Sequence, residues 1–271
     1  MEQQNALTVE NLLQYTTKQR TAAIQYVEIT DSTNRVLKEL AKNGAKEGQV
    51  VLANEQTSGR GRLGRSFFSP KDRGIYMSVL LRPDDKAYEV APMTAWVAVA
   101  VANAIESVAG VRPGVKWVND LILNGKKVCG IMTELAVKED SNKVDYVIVG
   151  IGLNVSGQSE EFPDEIKMMA SSIEAETGIA VSRAQLAAEI IREIDLLNEN
   201  WQIETAKYLD QYRKDCITVG KEVRVISPEG ERAATALSVE SDFSLLVRYD
   251  VGTIERVYSG EVSVRGLYGY T

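Results

Sequence analysis

The spacing of apolar positions changes along the chain and sorts it into regions. Residues 7–20 carry few of them (Val9, Leu12 and Leu13), which predicts a short lead-in helix docked on the remainder. From residue 26 to about 216, strand-like and helix-like runs alternate. Residues 26–29 read as a strand. Asp31-Ser32-Thr33-Asn34 then offers an N-cap before the helical stripe Val36, Leu37, Leu40 and Ala41, which Gly44 closes. Residues 49–53 form a short strand, and residues 74–81 set Ile75, Met77, Val79 and Leu81 at every second position, as strands do. Residues 92–109 are apolar on every side, the pattern of a buried helix; the uncharged core of this stretch, 91–105, is shorter than the ~18 residues of a membrane span.

Further on, Leu121-Ile122-Leu123 and Val128-Cys129-Gly130-Ile131 flank Asn124-Gly125, a dipeptide whose tolerance of positive φ marks a two-residue hairpin turn. A long apolar strand is expected over 144–155. Two helices follow: one capped by Ser182 with the stripe Leu186, Ile190, Ile194 and Leu197, the other over 205–216. Beyond Ile217 come short alternating strands over 223–226, 233–239, 245–249, 254–257 and 262–264, separated by turns such as Pro228-Glu229-Gly230. The hairpin argues against a purely parallel sheet. The expectation is an α+β protein: a lead-in segment (1–25), a mixed-sheet domain (26–216) and a small C-terminal β barrel (217–271).

Composition narrows the chemistry. The sequence contains no histidine, which excludes an imidazole base, a Ser/His or Cys/His pair and a histidine-ligated metal. Its two cysteines, Cys129 and Cys216, do not make a disulfide framework and fit a reducing, cytoplasmic compartment. The formal net charge of −7 opposes nucleic acid and anionic membrane, so any anion site has to be a local cluster.

Such a cluster exists at Ser58-Gly59-Arg60-Gly61-Arg62-Leu63-Gly64-Arg65-Ser66-Phe67-Phe68. Arg60, Arg62, Arg65, Lys71 and Arg73 face only Asp72 in this neighbourhood. Glycines interleaved with arginines give a backbone able to wrap a ligand and forked donors that match carboxylates and phosphates. A solvated basic loop or an Arg/Gly tail shares the charge, but the first has no need of so many glycines and the second is longer and disordered. Lys116-Trp117-Val118-Asn119-Asp120 sets an amide beside a carboxylate, with Lys127 just past the hairpin turn; taken alone, this pair is ordinary turn chemistry. Gly150-Ile151-Gly152-Leu153-Asn154 is half of a dinucleotide fingerprint. It lacks the third glycine and the following helix, so it reads as a strand-end loop admitting a ligand near Asn154; no GxxxxGK[ST] run is present.

Taken in order and spacing, Ser32-Thr33-Asn34, Gln56 with Gly59 to Arg65, Lys116 to Asp120, Lys127 to Ile131 and Gly150 to Asn154 resemble the biotin protein ligase family. The resemblance spans about residues 26–155, and the small C-terminal barrel fits the SH3-like barrel of that family. It implies an ATP-dependent ligase that activates biotin as biotinyl-5′-adenylate and transfers it to a lysine of a biotin carboxyl carrier protein of acetyl-CoA carboxylase or a related carboxylase. Biotin and ATP are then substrates, with Mg²⁺. No enzyme nucleophile is needed, in keeping with the missing histidine.

Carried over residue by residue, Ser32, Thr33, Asn34 and Gln56 match the positions that hold the biotin ring and ureido group. Arg60, Gly61 and Arg62 match the loop that closes over biotin and adenylate, with Gly130 beside it. Lys127 matches the lysine between the biotin carboxylate and the α-phosphate, so Lys127, Arg62 and Asp120 are the expected catalytic residues. Arg62, Arg65, Phe67, Asn119, Lys127 and Asn154 fall on the ATP side, and Asp120 is assigned to Mg²⁺ or to the incoming lysine. Three positions depart from the family pattern: Val118 stands for proline, Phe67 for tryptophan, and Cys129 for a smaller residue that faces or backs the pocket. Residues 1–25 are too few for a winged helix of about 60 residues. The resemblance is therefore to short members without a DNA-binding domain, with neither DNA nor membrane as a partner and a homodimer allowed. A lipoate or octanoate ligase or transferase, or a non-catalytic nucleotide-binding module, is the alternative reading.

Overall fold

The computed structural model describes residues 6–16, 23–139, 141–228, 230–259 and 263–266. Its first sheet has the order β1-β2-β3-β7-β6-β5-β4, made of β1 (Ile24–Thr30), β2 (Val50–Gln56), β3 (Gly74–Leu81), β4 (Gly114–Lys116), β5 (Asp120–Leu123), β6 (Lys126–Val137) and β7 (Val144–Asn154). β1 and β2 are parallel and every other pair is antiparallel, so the sheet is mixed as the hairpin required. At that hairpin Asn124 (φ 47°) and Gly125 (φ 80°) both take the left-handed conformation of a two-residue turn.

The helices divide between the two faces. Helix α1 (Val9–Leu13) docks Leu12 in the core, with Leu7 buried just ahead of it, while residues 17–22 of the expected lead-in lie outside the described residues. Helix α2 (Thr33–Lys42) covers one face of the sheet, where Leu37 and Ala41 pack on Val51, Leu80, Tyr146 and Ile148. After the short α3 (Ala87–Val90), α4 (Met93–Ala109) is buried on nearly every side, as its composition required; with α6 (Arg183–Asp215) it covers the opposite face, packing on Ile75, Met77 and Val79. β3 is therefore buried along its whole length, with Ile75, Met77 and Val79 toward these two helices and Leu80 toward α2.

The two helices expected over 182–216 are both present: they follow one another without a loop as a 33-residue stretch kinked at Glu204 (φ −100°, ψ 17°), and Ser182 caps the first by accepting a hydrogen bond from the Gln185 N–H. The short α5 (Ile173–Thr177) precedes it.

The second sheet is antiparallel, in the order β11-β10-β9-β8-β12, from β8 (Glu222–Ser227), β9 (Gly230–Val239), β10 (Leu245–Tyr249), β11 (Ile254–Val257) and β12 (Ser263–Gly266). Glu229 in the expected turn and Val262 lie outside the described residues. An aromatic cluster fastens this sheet to α4 and α6: the Phe243 ring centroid is 5.4 Å from that of Tyr212 and 5.9 Å from that of Trp96.

Candidate functional site

The sheet face beneath α2 changes character along its length. On β7, Tyr146, Ile148, Gly150, Gly152 and Asn154 share one side, because strand side chains alternate. Under the helix the paired residues are large, Leu80 opposite Ile148. One step on they become small, with Ser78 opposite Gly150 and Gly152 opposite Gly130. A cavity of about 480 Å³ opens over this small-residue floor.

The glycines are floor, not phosphate loop. Gly150 and Gly152 lie inside β7, which corrects the strand-end loop expected there. A Cβ on Gly150 would stand 2.3 Å from Asn34 Oδ1, and one on Gly152 2.5 Å from the Phe67 ring. Both positions are open so that side chains from elsewhere can lie on the sheet.

Four neutral polar side chains line one end of the cavity. Ser32 is the N-cap residue of α2, yet its hydroxyl makes no cap hydrogen bond; its own N–H is taken by the Asp31 carboxylate. Thr33 donates its N–H to Gln56 Oε1 at 2.9 Å, and Gln56 Nε2 donates to Ser69 Oγ at 3.0 Å. Asn34 donates to Glu134 Oε1 at 2.9 Å. All three helix residues, Ser32 to Asn34, are buried.

The basic segment closes the cavity from above as a small hairpin. The Phe67 N–H donates to the Gly59 carbonyl, Arg60 pairs with Ser66, and the Gly61 N–H donates to the Arg65 carbonyl across the turn Arg62–Gly64. Arg60, Gly61, Arg62, Arg65 and Phe67 all border the cavity. Arg62 donates to Asn119 Oδ1 at 3.2 Å and to the Ser259 carbonyl, so the hairpin is tied to the turn before β5 and to the segment after β11. Burial pushes the Arg62 guanidinium below its usual pKa, and the negative charge of Asp120 works against that.

Lys127 reaches the cavity through a β-bulge. β6 pairs Ile122 with Lys127 but Leu121 with Cys129, leaving Val128 as an extra residue. Val128 and Cys129 are then both in the core, and Lys127 turns to the side of Gly130. Its Nζ lies 2.6 Å from Asp120 Oδ1 and 5.9 Å from the Phe67 ring centroid. Cys129 backs the cavity and does not face it, and burial pushes its thiol pKa up.

The 117–120 turn is braced from three directions. Asn119 Nδ2 donates to the Ile131 carbonyl at 2.8 Å, the Tyr212 hydroxyl donates to the Val118 carbonyl at 3.2 Å, and Trp117 Nε1 donates to the Phe243 carbonyl at 3.0 Å. The Trp117–Val118 peptide is cis. Asn154, also on the cavity wall, donates to the Ser171 carbonyl at 3.0 Å.

Every residue singled out as a site candidate thus borders one cavity. Others had no signal in the sequence. Phe162, Ile166, Met169 and Ala170 line it from the segment after β7, and Arg224, Val264 and Gly266 from the second sheet. Among the described residues no three His, Cys, Asp or Glu side chains group as a metal site. The arrangement can hold a neutral polar head at the Ser32–Gln56 end and an anion between Lys127 and the arginine hairpin.

The model of the biotin/lipoate A/B protein ligase family matches residues 26–154. The bifunctional ligase/repressor BirA of Bacillus spizizenii is 36% identical over 244 residues, 88% of this chain and 73% of that protein. The biotin–[acetyl-CoA-carboxylase] ligase of Mycobacterium tuberculosis is 32% identical, over 77% of this chain and 76% of its own length. Among solved structures, the biotin protein ligase of Aquifex aeolicus in complex with biotin and ATP superposes with a TM-score of 0.77 at 26% identity, covering 91% of this chain and all of that one. The chain belongs to the biotin/lipoate A/B protein ligase family. Its mixed sheet and small antiparallel C-terminal sheet are the fold of the biotin protein ligases, and its activity is of that kind.

Proposed function

We propose that this enzyme joins biotin to ATP as biotinyl-5′-adenylate, releasing pyrophosphate, and then passes the biotinyl group to a lysine of a biotin carboxyl carrier protein of acetyl-CoA carboxylase or a related carboxylase. The observation that carries this reading is that the neutral polar socket, Lys127 and the arginine hairpin line one cavity, with Lys127 Nζ 5.9 Å from the ring centroid of Phe67 on that hairpin. The Aquifex relative binds biotin and ATP, and the Mycobacterium relative bears the name of a carboxylase ligase.

On this reading Ser32, Thr33, Asn34 and Gln56 take the biotin head, with Gly130 leaving room for the Lys127 side chain beside it. The biotin carboxylate attacks the α-phosphorus and pyrophosphate leaves. Lys127 holds both reacting anions close and neutralises the charge that builds on the transferring group, with Arg60, Arg62 and Arg65 folded over them and Gly61 at the turn. Phe67 offers a stacking face, and Asn119 and Asn154 stand on the nucleotide side. Asp120, paired with Lys127, is the carboxylate that would hold a Mg²⁺ bound together with the triphosphate, which would supply charge neutralisation at the phosphates; the same carboxylate could instead receive the incoming lysine. In the second step that lysine's amine attacks the acyl carbonyl and AMP leaves. Residues 26–216 form the catalytic unit in this proposal and 217–271 the small β unit, working in the cytoplasm.

Pyrophosphate release separates the readings. Release with biotin plus ATP, followed by labelling of a carrier domain, is expected. Release with lipoate or octanoate instead would make this a lipoyl-type ligase, and no release with any acid would reduce it to a binding module.

A further inference from the structure

Beneath the polar socket runs a chain of hydrogen bonds that reaches residues with no place on the cavity wall. Ser78, fully buried on β3, has its Oγ 2.6 Å from Asn34 Oδ1 and 2.7 Å from Thr33 Oγ1. On the far side, Asn34 Nδ2 donates to Glu134, whose other oxygen lies 3.4 Å from Lys38 Nζ. Thr33 Oγ1 is also 3.2 Å from Gln56 Oε1.

The protons in this chain are too few for every short contact, so its polarity is decided at one end. A carboxylate paired with Lys38 accepts and cannot donate, which forces the Asn34 amide to turn its nitrogen to Glu134 and its oxygen to Ser78. Ser78 has one proton. Two bare oxygens 2.6 Å apart repel far more than two 3.2 Å apart, so that proton goes to Asn34 Oδ1 and not to Thr33. Thr33 in turn gives its hydroxyl proton to Ser78 Oγ. Its remaining lone pairs then face the cavity, with no proton left to offer.

We infer that Glu134 is a specificity-determining positioning residue: acting through Asn34 and Ser78, it makes the Thr33 hydroxyl an obligate acceptor, so that the ligand group lying there has to be an N–H. The inference rests on the biotin reading of the socket, since the ureido ring is what supplies such N–H groups. With a glutamine at 134 the Asn34 amide is free to turn over; the chain then reverses, and Thr33 recovers a proton that can serve a ligand acceptor.

The test compares biotin with its carbamate analogue, in which a ring oxygen replaces one ureido N–H, both oxygen positions being made. Dissociation constants are measured by calorimetry on the full chain. The wild type should strongly prefer biotin. Glu134→Gln should narrow that preference by about tenfold, the scale of one hydrogen bond gained or lost. Ser78→Ala reaches the same end by freeing the Thr33 proton directly and should narrow it comparably, whereas Lys38→Ala, which leaves the carboxylate in place, should keep it. An unchanged preference in Glu134→Gln and Ser78→Ala, or an equal loss of affinity for biotin and analogue, would overturn the inference. A wild-type chain that binds no biotin would instead overturn the proposed function beneath it.

Discussion

Replacing Lys127 by methionine keeps most of the apolar stem and removes the charge. The ammonium sits in a half-enclosed place, its side chain 24% exposed and that of Asp120 16%, so an effective dielectric near 20 is appropriate. A unit charge about 4 Å from another then contributes about 4 kcal/mol. At about 1.4 kcal/mol per factor of ten, that corresponds to roughly 10³ in rate if the interaction is realised mainly in the transition state. Water admitted to the vacated space returns part of it, which gives an expected loss of about 10²–10³ in adenylate formation, the scale of deleting one preorganised donor. The fold should survive, because strand pairing and the Asn124-Gly125 turn hold β5 and β6 through the backbone, and the Lys127 N–H keeps its bond to the Met169 carbonyl. Rapid-quench single turnover with enzyme in excess over labelled ATP isolates this step, and thermal melts check the fold. A near-normal adenylation rate would refute the role given to Lys127. So would a loss that appears wholly in biotin affinity with the chemical step unchanged, since that is the mark of uniform binding.

Three further outcomes are expected. Gly150→Ala puts a methyl 2.3 Å from Asn34 Oδ1, on an amide held by Ser78 through that oxygen and by Glu134 through its nitrogen, so biotin should bind about tenfold more weakly or worse with ATP affinity kept, by calorimetry; an unchanged biotin constant would remove Asn34 from the socket. Arg62→Ala cuts the ties to Asn119 and the Ser259 carbonyl, so biotin plus ATP should no longer protect residues 60–66 from limited proteolysis, and leaked adenylate should label bystander lysines; identical digests of variant and wild type would count against a closing hairpin. Acid should destabilise the fold, because hydrogen bonds from Tyr26, Lys71 and Asn54 hold Glu28 down to about 2, and Lys42, Lys143 and Arg192 depress Glu39, Asp84 and Glu189 in the same way. The unfolded chain binds more protons than the folded one below about pH 4.3, so the stability these groups supply is complete above that value and lost toward pH 2. Urea midpoints that hold constant from pH 6 to pH 3 would contradict it.

Much of this protein follows from short-range rules. Asn124-Gly125 permits a turn with two positive φ values and little else, residues 93–102 have no charged side to show to water, and Ser182 answers the free N–H of Gln185; each depends on a few neighbouring residues and so is legible from the sequence. The order of the polar and basic motifs likewise pointed to one site and one family. What the tertiary structure decided depends on partners far along the chain. Gly150 and Gly152 fall in the strand expected over 144–155, but their service as a floor kept bare for Asn34 and Phe67 depends on an approach no local pattern encodes. The bulge that turns Lys127 to the cavity while burying Val128 and Cys129 is a mismatch between two strands, visible only once they pair. Glu134 stands a hundred residues from Asn34, and Arg224 and Val264 meet the cavity from a separate sheet. Local propensity acts over a turn of helix or a pair of strand positions, whereas the polarity and shape of a cavity are set by whichever surfaces packing brings to its walls, and only the assembled fold determines that.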